Sequence, residues 1–189
     1  MRLKIKGAVL IGSLVYLLSS TALASKPMPN FPYVKSGLDG FFYLKAIPKD
    51  SNGEEGSTKV FKVGKENDEL VDEYNWYTKG ELYMGWSPLA GKVALIRLDK
   101  EDLDLKPHGG EILRLVFYLG GNKIRSYDQK QLRNMGLILP VITFYGREGD
   151  VKVLGVQQIP GTNEYVLSFE KENGEIISFD IVTGEQKKR

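Results

Sequence analysis

The chain has 189 residues, with 26 Lys and Arg against 24 Asp and Glu, one histidine and no cysteine. The missing thiols exclude a disulfide framework, a thiolate metal site, a cysteine nucleophile and a lipid-modified N-terminal cysteine, and a lone imidazole excludes a multi-histidine metal site. The near balance of charge gives neither nucleic acid nor an anionic membrane an electrostatic footing.

Arg2, Lys4 and Lys6, the uncharged apolar run Gly7 to Leu18, and the small residues Ala22-Leu23-Ala24 have the three-part layout of a secretory signal over residues 1–24, with cleavage expected before Ser25. The apolar run is shorter than the roughly 20 residues that cross a bilayer, so no stable membrane span is expected after cleavage. Three of the 26 cations leave with the signal, so the mature chain carries 23 Lys and Arg against 24 acids, and the basic isoelectric point belongs to the targeting segment. Export without disulfides fits a bacterial periplasm or the cell exterior. The 165 residues that remain of 189 suffice for one domain whose core needs no covalent help.

Residues 25–40 hold Pro27, Pro29 and Pro32 and read as an extended, poorly ordered lead-in to a single domain over 41–184. Strands are expected at Phe41 to Ile47 and Thr58 to Val63, joined by a polar loop. Lys65 to Tyr77 is ambiguous between a helical turn and a loop; a loop followed by a strand at Glu73 to Tyr77 is preferred. Glu81 to Trp86 and Lys92 to Leu98 alternate with period two around the turn Ser87 to Gly91. Lys92 to Leu98 is apolar on both faces and is expected to be a central strand. Ile112 to Leu119 and Lys123 to Tyr127 flank the turn Gly120-Gly121-Asn122. Asp128 then reads as the N-cap of one short helix that Gly136 stops. Val141 to Tyr145, Val151 to Ile159, Tyr165 to Glu170 and Ile176 to Ile181 follow as consecutive hairpins, with a turn over Gly146 to Asp150 and a charged tail over 185–189. These elements define an all-β protein: a single antiparallel β-sandwich or meander barrel of about ten strands with one short helix.

Chemistry-bearing motifs are few. His108 sits in a Gly- and Pro-flanked loop with no recognisable nucleophile nearby and reads as an exposed loop histidine. Gly85-Trp86-Ser87-Pro88-Leu89 starts like a nucleophile elbow, but it lacks the second glycine, and Pro88 removes a backbone N–H that an oxyanion hole would need. Asp99, Asp102 and Asp104 form a weak candidate Ca²⁺ cluster whose spacing matches no known calcium loop. No catalytic residue and no cofactor is assigned. The aromatics Tyr74, Trp76, Tyr77, Tyr83 and Trp86 crowd one hairpin and are the candidate binding residues, since rings exposed on a sheet stack on sugars or on a partner. Phe179-Asp180-Ile181-Val182-Thr183-Gly184 resembles the strand-to-turn element of quinoprotein-type β-propeller blades. It occurs once and spans six residues, where a propeller repeats the element, so no fold or activity is carried over from it. The expected function is a non-catalytic binding module for an envelope protein or a glycan, the alternative being a carboxylate-dependent hydrolase acting on envelope or extracellular glycan.

Overall fold

The computed structural model describes residues 29–38, 40–51, 55–99, 113–137, 141–143, 146–148 and 151–187. Within them the protein is almost entirely antiparallel β, and its strands divide among three four-stranded sheets and one two-stranded ribbon. The first sheet comprises β1 (Tyr33–Ser36), β2 (Phe42–Pro48), β3 (Gly56–Lys62) and β4 (Glu69–Tyr74) in sequence order. The second comprises β5 (Glu81–Ser87), β6 (Lys92–Leu98), β7 (Leu113–Leu119) and β8 (Asn122–Asp128). After α1 (Gln129–Asn134) and the ribbon of β9 (Val141–Thr143) and β10 (Gly146–Glu148), the third comprises β11 (Val151–Gln158), β12 (Tyr165–Lys171), β13 (Ile176–Asp180) and β14 (Gln186–Lys187).

Of the two expected architectures, sandwich or meander barrel, one closed barrel is not formed: among the described residues the strands do not close on one another but fall into separate four-stranded sheets that stack. The reason lies in β6. Val93 and Leu95 pack toward the first sheet, against Leu44, Val60 and Tyr74, while Ala94, Ile96 and Leu98 pack toward the third, against Leu167, Phe169 and Phe179. A strand apolar on both faces needs a layer on each side, so the second sheet lies between the other two, and the described residues form two cores rather than one. At the near edges β5 runs against β11. Gly85 permits this approach, since a Cβ there would stand 3.1 Å from both Ile181 Cδ1 and Val156 Cγ1.

The helix follows its sequence signals. The Asp128 side chain accepts from the Gln131 N–H at 2.7 Å, the Gln131 side chain accepts from the Asp128 N–H at 2.9 Å, and Gly136 takes φ +74° just past the C-cap. Leu132 is the side chain this helix buries.

Four elements differ from expectation. Strand β1 lies inside the segment read as a lead-in; it is extended but paired, Tyr33 opposite Ala46 and Ser36 opposite Tyr43. Pro32 is compatible because β1 is an edge strand that starts after it. Strand β4 falls at 69–74 rather than 73–77, with a register shift where Phe61 and Val60 oppose Leu70 and Asp72, so Val71 is the extra residue of a bulge. Part of the turn expected over Gly146 to Asp150 is strand β10. Within the charged tail, β14 pairs with β13, and the Lys187 ammonium reaches Glu164 and Asp180.

The segment Phe179 to Gly184 closes the third sheet onto the second. Asp180 Oδ1 accepts from the N–H groups of Val182 and Thr183, which folds the turn. Gly184 then takes φ +69° with its backbone lying against Phe117 and Arg125, and its carbonyl accepts a 2.7 Å bond from the buried Tyr127 hydroxyl of β8. The Arg125 guanidinium adds bonds to Thr183 O and Glu185.

Candidate binding surface

The five aromatics of the hairpin region do not form one platform. Tyr74 and Tyr77 are buried, whereas Trp76, Tyr83 and Trp86 are half-buried. Tyr74, Trp76 and Tyr118 of β7 meet as a triad with ring centroids 5.1–5.4 Å apart in the joint between the first and second sheets. Tyr77 meets Tyr33 edge to face at 5.9 Å, and Trp86 stacks on Phe42 at 5.3 Å. Tyr83 lies on the other side of β5, where its hydroxyl bonds Glu81 and its ring receives the Lys35 ammonium at 4.8 Å. Burial and the neighbouring carboxylate both push its phenol up.

Beside the triad the same joint encloses a charged pair. Arg97 Nε donates to Asp99 Oδ2 at 2.6 Å and to Oδ1 at 2.8 Å, with side chains only 14% and 10% exposed. Thr78 Oγ1 donates to the same carboxylate at 2.9 Å, and the guanidinium lies 5.2 Å from the Trp76 ring centroid. The Tyr33 hydroxyl donates to Thr78 O. Its pKa is pushed up to about 12, chiefly by burial, then by Tyr77 and the Asp99 charge, with Arg97 opposing. A carboxylate engaged by a guanidinium and a hydroxyl is a structural joint, because its lone pairs are already committed.

Of the candidate calcium cluster, Asp99 is bonded by Arg97 and Thr78. Asp102, Asp104 and His108 lie outside the described residues. Among the described residues no three His, Asp or Glu side chains converge as a metal site. Ser87 is buried and its Oγ accepts from the Ala90 N–H at 3.2 Å, as a turn residue does.

The surface that sequence reasoning passed over is the outer face of the first sheet. Of the eleven large apolar side chains that are exposed among the described residues, eight lie between Phe31 and Val71, in the strands of this sheet or in the segments that flank them. Alternation along β2 and β3 sends Phe42, Leu44, Ala46 and Val60 inward and leaves Phe41, Tyr43, Lys45 and Ile47 beside Lys59, Phe61 and Val63 outside. Tyr43 and Phe61, directly opposite in register, stack at 5.1 Å, and Leu70 flanks Phe61 on β4. In the next row Lys45, Lys59 and Glu73 stand side by side, Lys59 reaching Glu73 at 3.0 Å. The aromatic alternation in Phe41-Phe42-Tyr43 was the available signal. It showed a strand with apolar residues on both sides, yet only the stacking of sheets decides which side is covered.

By fold class, then, this is an all-β protein of three stacked antiparallel meanders. Comparison of the chain with family models, with curated proteins and with solved structures finds no match in any of the three.

Proposed function

We propose that this protein is an exported, non-catalytic binding module that docks a protein of the cell envelope through the outer face of its first sheet. The observation that carries the reading is the concentration of exposed apolar residues there. Phe41 is 66% exposed, Val63 49% and Leu70 47%, on the same face as the stacked Tyr43 and Phe61. Val34 and Ile47 extend the same face, and a contiguous exposed apolar patch marks an interaction site more than scattered single residues do. A protein partner is favoured over a glycan because the hairpin aromatics are split among separate packing contacts, and a sugar needs an open ring.

The test compares envelope-fraction pull-downs by the parent protein, Phe61→Lys and Trp76→Ala. Docking through this face requires a specific co-purifying protein that is lost with Phe61→Lys and kept with Trp76→Ala. Equal capture by all three abandons the reading. N-terminal sequencing of the purified protein tests export separately, with Ser25 expected as the first residue.

A further inference from the structure

We propose that the partner seated on this face is a second copy of the chain, paired through a two-fold axis that runs along β3. The inference rests on reading the outer face of the first sheet as a protein-docking surface and identifies what docks there.

The geometry is self-complementary about that line. In one row Tyr43 and Leu70 flank Phe61; in the next Lys45 and Glu73 flank Lys59. Neighbouring strands lie about 4.8 Å apart, so the flanking residues of each row are equidistant from β3. A two-fold rotation about β3 lays Tyr43 of each copy over Leu70 of the other and brings the two Phe61 rings together. It sets Lys45 of each copy over Glu73 of the other, giving two intermolecular ion pairs. Lys59 lies on the axis, but its charge is already met by Glu73 at 3.0 Å. That carboxylate then lies between two cations, one from each copy.

Two further observations favour this occupant. The protein already covers sheet faces with other four-stranded sheets, on both sides of the second sheet, so the contact would repeat an internal packing mode. The stacked Tyr43 and Phe61 with Phe41, Val63 and Leu70 also stand beside the charged row of Lys45, Lys59 and Glu73, the apolar centre and polar margin that an interface between copies takes. An isologous contact of this kind also closes on itself and leaves no open array.

The experiment is analytical ultracentrifugation of the exported protein, the parent beside Phe61→Lys, Lys45→Glu and Glu73→Lys, each checked for an unchanged circular dichroism spectrum. The parent is expected to dimerise. Phe61→Lys is expected to be monomeric, and the two charge variants to weaken the dimer at least about tenfold, because each sets like charges face to face twice. An equimolar mixture of Lys45→Glu with Glu73→Lys is expected to recover dimer, since both contacts between positions 45 and 73 in the mixed dimer are again of opposite sign. A parent that stays monomeric at about 100 μM overturns the proposal, as does a dimer that survives Phe61→Lys or a mixture no tighter than its components. A monomeric parent whose pull-down partner is still lost with Phe61→Lys leaves the docking face standing and removes only the second copy.

Discussion

Replacing Asp99 by leucine removes the carboxylate that Arg97 Nε meets at 2.6 and 2.8 Å while leaving the guanidinium enclosed between two sheets. With the Arg97 side chain 14% exposed, water restores little of the lost solvation. Breaking one partner of such a pair costs about 3–5 kcal/mol. The Trp76 ring lies beneath the guanidinium in both proteins and leaves that difference unchanged. For a domain of this size, with a urea m-value near 2 kcal/mol/M, the midpoint is expected to fall by about 1.5–2.5 M. The double variant Arg97→Met with Asp99→Leu removes both charges together, and its midpoint is expected within about 0.5 M of the parent, because an apolar pair of similar volume replaces a buried ion pair at little cost. Thr78 then loses its acceptor but still accepts the Gly80 N–H at 2.8 Å. Urea denaturation followed by circular dichroism measures all three proteins. A single variant that loses less than about 1 kcal/mol would mean the pair behaves as an exposed one, and a double variant as unstable as the single would show that the charges themselves hold the joint together.

Three other outcomes follow from the same geometry. Tyr33, whose folded pKa of about 12 lies above the ordinary 10.0, stabilises the fold fully below pH 10 and loses that contribution as pH rises through 12; Tyr33→Phe is expected to flatten the alkaline fall of the melting temperature over that window. Asp72 has a buried, unbonded Oδ2 and a pKa raised by burial, with the Gly121 N–H and Lys92 opposing. Its ionisation therefore costs stability as pH rises through the folded pKa, and the gain from Asp72→Asn over the parent is expected to grow from acid to neutral pH in parallel melts. Leu95→Ala and Ile96→Ala empty fully buried sites on opposite faces of β6 and should each cost about 2–5 kcal/mol. Trp76 and Trp86 both pack in the first joint, so a tryptophan-fluorescence transition that shifts as far for Ile96→Ala as for Leu95→Ala shows the two cores unfolding together.

What the sequence disclosed was whatever is decided locally. Strand β6 was legible because both of its phases are apolar, and α1 because Asp128, Gln131 and Gly136 stand at capping distances along the chain. Strand β1 was hidden because its identity comes from Tyr33 reaching Thr78 and Tyr77 across 45 residues of chain, an interaction no local pattern encodes. Strand β4 shifted because an edge strand of mixed polarity has no clean period, and the bulge at Val71 breaks what alternation there is. The partition into sheets was illegible, since a turn that continues a sheet and a segment that leaves it share the same polar composition. Among the candidate site residues, alternation assigned the rings of β5 to phases, yet burial depended on partners from another sheet, Phe42 for Trp86 and Lys35 for Tyr83.

Each sheet is assembled solely from strands adjacent in the chain: the first is complete at Tyr74, the second at Asp128, the third at Lys187. Closing such short loops costs little entropy, so a chain delivered from its N-terminus can finish one sheet before the next has emerged. Order of assembly then follows order of delivery, and the last event is local to the C-terminus, where Tyr127 of the second sheet receives the carbonyl of Gly184. A chain stopped a few residues short of that glycine would carry most of its strands already paired and still lack the bond from Tyr127 that fastens the end of its third sheet to its second.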